Sequence, residues 1–121
     1  MNLSSDLPLQ QLVPTAFLTN AAVAVYSSPF SSGMNGITII TGFVFANTTG
    51  AAVAVTLYNV APGGTATASN MIIPGSAVGA NGAWFLSNFD GMFIVPAGGS
   101  IYAKAGSNTA VTFTMFGREV Q

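Results

Sequence analysis

Charge is the scarcest property of this sequence. Only five residues carry it, and they are Asp6, Asp90, Lys104, Arg118 and Glu119. Charged residues make up 4% of the chain, whereas an ordinary soluble domain is about 25% charged. The surface must therefore consist largely of Ser, Thr, Asn, Gly and Ala, and a surface of this kind is poorly protected against association. The composition predicts a subunit of a larger assembly.

Histidine and cysteine are both absent. Zinc, iron and copper sites thereby lose their usual nitrogen and sulfur ligands. Serine and threonine are abundant, but no histidine is present to activate either hydroxyl as a nucleophile. The fold must also form without disulfides. We predict no metal and no cofactor.

The three carboxylates do not suggest a catalytic pair. Asp6, Asp90 and Glu119 are spread along the chain, whereas a glycosidase holds two carboxylates about 5–10 Å apart. Asp90 belongs to an Asp-Gly turn signal, and Arg118 and Glu119 are read as a solvated or inter-subunit ion pair at the end of the last strand. Glycine-rich pieces match neither nucleotide-binding fingerprint. We predict that the protein is not an enzyme.

Nucleic acids and membranes are not predicted partners. The net charge is −1 and no basic cluster occurs, so nothing in the sequence would collect phosphates. No window holds the run of about 18 apolar residues that a membrane helix needs. The first residues lack the basic and apolar regions of a secretory signal, so we expect none.

The hydrophobic pattern is that of short β-strands. The length of 121 residues suits one domain, and 50% hydrophobic residues supply an ample core. Val, Ile, Thr, Phe and Tyr come in short runs separated by Gly, Pro, Asn and Ser. The predicted strands are 13–18, 21–26, 36–47, 51–60, 70–73, 83–89, 92–95, 100–105 and 110–117. We predict an all-β fold, an antiparallel β-sandwich or jelly roll of eight or nine short strands.

The third predicted strand, 36–47, is the longest. Its alternation places Ile37 and Ile39 with Phe43 on one face, and the opposite face is also apolar. Such a strand is expected to be central and covered on both sides. Gly42 predicts a bulge or a close backbone approach. The turn residues 48–50 predict a hairpin that pairs this strand with 51–60.

Two groups of apolar residues are candidates for contact with partners. The chain divides into an N-terminal arm, residues 1–12, and a single domain, residues 13–121. The arm either adds an edge strand to its own domain or docks on a neighbouring subunit, and the sequence leaves both open. The loop 27–35 provides a second apolar anchor. The candidate residues are Leu3, Leu7, Leu9 and Leu12 in the arm, with Phe30 and Met34 in the loop.

A sugar-binding site is a further hypothesis. Trp84, Tyr26, Tyr58 and Tyr102, together with many asparagines, supply the stacking and hydrogen-bonding groups of such a site. Trp84 lies in an alternating strand, however, and that position favours the core.

Several segments resemble small all-β structural proteins of tailed-phage virions. The segments that carry the resemblance are 36–40, 45–50, 53–58, 62–65, 95–103 and 111–120. Related modules occur in capsid decoration (cement) proteins and in tail or fibre components. The resemblance implies a β-sandwich or jelly roll that assembles, often as a homotrimer, and it provides no catalytic residue.

Three functions follow as hypotheses. The first is a decoration protein that binds the major capsid protein or other virion proteins and stabilises the shell. The second is an adhesin or receptor-binding module of a tail or fibre, and the third is a subunit of an assembly outside virions. The first places the chain on the capsid surface.

Overall fold

The chain folds into β-strands, as the sequence predicts. The computed structural model describes residues 9–87 and 93–121. Within these ranges lie one short 3-10 turn, Ala68–Asn70, and nine strands. The strands are β1 (Gln10–Phe17), β2 (Val23–Ser27), β3 (Ile37–Asn47), β4 (Val53–Val60), β5 (Met71–Val78), β6 (Ala83–Ser87), β7 (Ile94–Pro96), β8 (Ser100–Ala105) and β9 (Val111–Val120). The predicted turn at Asp90 and the adjoining ends of two predicted strands lie outside the described residues.

The strands form two antiparallel sheets that face each other. The five-stranded sheet has the order β1-β9-β3-β6, and β7 also pairs with β3. The four-stranded sheet has the order β2-β8-β4-β5. The prediction of an all-β antiparallel sandwich is therefore confirmed, with β3 in the interior of its sheet.

The core lies between the sheets and is built by alternating side chains. Phe43, Phe45 and Phe113 of the five-stranded sheet form an aromatic cluster, with ring centroids 5.0–6.2 Å apart. Leu57 and Ile101 of the four-stranded sheet are fully buried in the same core. Burying a side chain of this size contributes about 1.5–3 kcal/mol. These rings and aliphatic side chains hold the sheets together.

A bulge at Gly42 reverses the alternation along β3. The pairing of β3 with β9 slips between Ile40 and Gly42, which confirms the bulge that the glycine predicts. Ile40 is buried before the slip, and Phe43 is buried after it. The expectation that Ile37 and Ile39 share a face with Phe43 is therefore wrong, because one extra residue moves later side chains to the other face.

The predicted hairpin between β3 and β4 is also wrong. Strand β4 pairs with β5 and β8, so it belongs to the opposite sheet. Asn47, the last residue of β3, explains the crossing. Its side-chain amide donates a hydrogen bond to the carbonyl of Ala51 (2.8 Å), and its side-chain oxygen accepts one from the amide of Thr49 (2.9 Å). The side chain thereby shapes the connection that carries the chain from one sheet to the other.

Strand β5 continues through the residues that were expected to end it. Pro74 and Gly75 lie inside the strand, where the pairing with β4 slips between Val55 and Thr56. Because β5 is an edge strand, proline breaks no ladder on its open side. Gly75 has a φ of +75°, which a glycine adopts without strain. The two residues therefore form a bulge in an edge strand.

Candidate interaction surface

The outer surface of the five-stranded sheet is apolar. The pairing register places Val44 beside Phe85 and Thr114, and it places Ala46 beside Ala83 and Thr112. We call this surface the apolar face. It consists of Thr15, Phe17, Ile37, Ile39, Val44, Ala46, Ala83, Phe85, Ile94, Thr112, Thr114, Phe116, Arg118 and Val120.

Large side chains on the apolar face are open to water. Phe85 is 67% exposed, Phe17 49%, Ile94 40% and Phe116 37%. Strand β3 was expected to be covered on both sides, but its outward residues Val44 and Ala46 are only half-buried. Soluble monomers rarely expose continuous apolar patches larger than a few hundred Å². The face therefore has the character of a contact surface.

Charge is confined to one end of the apolar face. Arg118 pairs in register with Ile39 and is the one charged residue that the described strands place there. The neighbouring Glu119 points the other way, into the sandwich, where it accepts a hydrogen bond from the Tyr26 hydroxyl (2.7 Å). A partner can therefore cover most of this face without removing a charge from water.

The outer surface of the four-stranded sheet has a different chemistry. Tyr58 lies opposite Tyr102, and Thr56 lies opposite Lys104. Ala54 is exposed near one end of β4. We call this surface the polar face. Thr56 and Tyr58 are buried, whereas Tyr102 and Lys104 are half-buried, so this face carries an ammonium on an inner strand, β8.

The first strand begins earlier than the predicted range 13–18. Strand β1 begins at Gln10, which pairs with Gly117 of β9. Leu12 packs against the core, whereas Leu9 is exposed. Residues 10–12 therefore belong to an edge strand of their own domain, which is one of the two alternatives for the arm. The candidate residues Leu3 and Leu7 lie outside the described residues.

The two candidate residues of the loop 27–35, Phe30 and Met34, have different environments. The Phe30 ring covers Gly36 so closely that a β-carbon at position 36 would collide with it. The Phe30 carbonyl also accepts a hydrogen bond from the amide of Gly98 (2.7 Å). Phe30 thus packs against its own domain. Met34 is exposed and accessible to a partner.

A polar contact joins the two sheets near one end of the sandwich. The Tyr26 hydroxyl shares a hydrogen bond with the Thr38 hydroxyl (2.6 Å) and donates one to Glu119 (2.7 Å). Gln10 donates a further bond to the same carboxylate (3.1 Å). Burial raises the pKa of Tyr26 well above its usual value, and the nearby Glu119 carboxylate raises that pKa further.

A second polar contact joins the sheets where β3 ends. The buried amide of Asn47 lies 3.0 Å from the carbonyl of Val78 and 3.2 Å from that of Gly79. It therefore connects β3 to the end of β5 in the other sheet. Sequence reasoning read Asn47 as the last residue of a strand and Tyr26 as a strand or ligand residue. Nothing in the pattern indicated that both side chains reach across the sandwich.

The aromatic residues proposed for sugar binding are not brought together as one open site. Trp84 stacks on Phe45 with ring centroids 5.7 Å apart and packs against the core. Tyr26 and Tyr58 are buried, and Tyr102 is half-buried on the polar face. The position of Trp84 against the core agrees with its place in the alternating pattern.

Other features add no further site. In the described ranges no group of three or more His, Cys, Asp or Glu residues is placed to hold a metal ion. Residues 9–87 and 93–121 contain no helix of the length and hydrophobicity needed to cross a membrane. Comparisons with protein-family models, curated proteins and solved structures found no match.

Proposed function

We propose that this protein is a structural subunit of a tailed-phage virion, a decoration protein that binds the capsid surface and stabilises the shell. The observation that supports the proposal is the apolar face, which an isolated chain leaves in water. A subunit surrounded by neighbours can bury such a surface. The resemblance to virion proteins supports a location in a phage particle. The apolar face supports the proposal that the chain assembles with other subunits.

The proposed mechanism is physical rather than chemical. Burying apolar area contributes about 25 cal/mol per Å², and uncharged surfaces meet without the cost of desolvating ions. Any protein that binds the assembled shell, and not its separated parts, shifts the equilibrium toward the shell. Many copies bound at the joints between capsid proteins would therefore resist disassembly.

The residues before β1 are proposed to make the attachment. Leu3, Leu7 and Leu9 precede the edge strand in the sequence, and Leu9 is exposed. Met34 is a second exposed candidate. We assign no attachment role to Leu12 or Phe30, because both pack against their own domain.

A truncation tests this assignment. Deleting residues 1–9 leaves β1 complete from Gln10, so the shortened domain should unfold at an unchanged denaturant midpoint. Its affinity for purified particles should fall at least about tenfold, which corresponds to about 1.4 kcal/mol, and its occupancy at limiting concentration should fall accordingly. The full chain with Leu3→Ser and Leu7→Ser should lose binding in the same way, whereas Ser4→Ala and Ser5→Ala should retain it. Unchanged occupancy of the truncated protein would show that these leucines do not attach it.

The position of the chain in an intact particle separates the proposed function from its alternative. Density on the shell agrees with decoration, whereas density at the tail or a fibre agrees with the adhesin hypothesis. That hypothesis also predicts glycan binding, measurable on an array. The burial of Tyr26 and Tyr58 does not favour it.

A further inference from the structure

We propose that the apolar face is covered by the apolar face of a second copy of this chain, so that two subunits pair through their five-stranded sheets. The inference deepens the proposed function and rests on it for the expectation that this face is buried in use. It differs from the homotrimer that the family resemblance implies. A surface that matches itself is satisfied by one partner related by a two-fold axis.

Charge favours a second copy as the occupant. The described part of the apolar face carries only Arg118, at one end. A partner that matches this face must itself be nearly uncharged. The copy's own face has that chemistry, and an antiparallel arrangement keeps the two Arg118 side chains at opposite ends. The polar face, with Lys104 and Tyr102, provides a poorer match.

The shape of the face also suits sheet-on-sheet packing. Phe17 lies on one edge strand and Phe85 on the other. On the inner strands the register places the small side chains Ala46 and Thr112 and the larger Val44, Ile39 and Phe116. Side chains of such mixed size can interdigitate when two sheets pack about 10 Å apart. The edge phenylalanines would then close the margins of the contact against water.

The area of the face is close to that of the smaller standard interfaces. Its five strands contain 37 residues in total. Strands lie about 4.8 Å apart and rise about 3.3 Å per residue, so the face measures roughly 590 Å². Each partner in a standard protein interface buries about 600–1,000 Å². One copy is sufficient to cover the face.

Sedimentation of the full chain across a dilution series tests the inference. The wild type should sediment as a pair of 12.2 kDa subunits. Phe85→Asp should sediment as a single subunit, because the pair would bury a carboxylate. The matched control is Ala54→Asp, which adds the same charge to the polar face and should leave the pair intact. Circular dichroism checks that each variant is folded, and Phe85→Ser replaces Phe85→Asp if the latter fails to fold.

Several results would overturn the inference. They are a wild type that remains single at every concentration, a wild type that forms trimers, or a folded Phe85→Asp that still pairs. Dissociation of Ala54→Asp would move the contact to the polar face and would also refute it. Particle binding is measured separately. A pair that fails to bind particles refutes only the proposed function, and a single subunit that decorates them refutes only the pairing.

Discussion

The two ends of the sandwich are held together by different chemistry. At one end Asn47, a neutral and buried side chain, reaches backbone carbonyls of Val78 and Gly79. At the other end Tyr26 meets the side chains of Thr38 and Glu119. Both contacts cross from one sheet to the other. The Asn47 side chain contacts main-chain carbonyls, whereas the Tyr26 contact contains a phenol that can lose a proton.

The contact at the Asn47 end should be independent of pH, whereas the contact at the Tyr26 end should depend on pH. The partners of Asn47 carry no charge, so pH does not alter the contact. The Tyr26 contact includes a phenol whose pKa differs between the folded and unfolded states, so its contribution to stability depends on pH. The core around Phe43 and Phe113 lies between the two polar contacts, so it does not account for the difference between them. Substitutions at the two contacts should therefore lower the free energy of unfolding by different amounts and with different pH dependence.

Asn47→Ala should have the largest effect. The substitution leaves buried carbonyls and the Thr49 amide without their side-chain partner, which we expect to lower the free energy of unfolding by about 2–3 kcal/mol. Chemical denaturation measures the loss. Asn59→Ala is the control, because Asn59 also reaches across the sheets, to the carbonyl of Ile94, but through a long and exposed bond of 3.4 Å. That variant should lose no more than about 0.5 kcal/mol. Equal losses would contradict the importance given to buried Asn47.

Tyr26→Phe should have a smaller effect at neutral pH. The ring still fills its place in the core, but Thr38 and Glu119 lose a hydrogen-bonding partner. We expect a loss of about 1–2 kcal/mol in the free energy of unfolding. Tyr26→Phe combined with Thr38→Val removes both buried hydroxyls and should recover part of that loss. A double variant as unstable as the sum of the single variants would argue against a direct coupling.

Alkaline pH should reveal the smallest difference. Because the pKa of Tyr26 is raised in the folded protein, the unfolded state releases the phenolic proton first. The stability that neutral Tyr26 contributes is complete below about pH 10 and declines as the pH rises above it. The unfolding free energy of the wild type should fall more steeply between about pH 10 and 12 than that of Tyr26→Phe. Parallel curves would show that the tyrosine does not titrate differently on folding.

The strands could be predicted from the sequence because alternation and turn residues are local signals. Val111, Phe113 and Met115 alternate with threonines, a pattern that predicts an inward side for β9, and all three side chains are buried. The bulge at Gly42 also had a visible cause. The pairing of the strands had no such local signal in the sequence, because residues 48–50 are equally compatible with a hairpin and with a crossing between sheets. The chain takes the second alternative, and Asn47 hydrogen-bonds the connection between the sheets.

The candidate surface was less accessible to prediction. The leucines of the arm and Phe30 of the loop were predicted to contact partners because they are apolar residues in polar segments. Phe30 instead packs over Gly36. The exposure of Phe85 could not be read from its strand, because a phenylalanine in an alternating strand is typical of a core as well as of an open face. Knowing which side is open requires the sheet order, and that depends on long-range pairing.

The near absence of charge on the apolar face has a consequence for the conditions under which an assembly survives. Dissolved salt weakens contacts by screening charges, and here there is almost nothing to screen. Strongly hydrated salts such as sulfate favour the burial of apolar surface instead. A contact made through Val44, Ala46 and Phe85 should therefore persist from fresh water to brine, where assemblies joined by ion pairs would come apart.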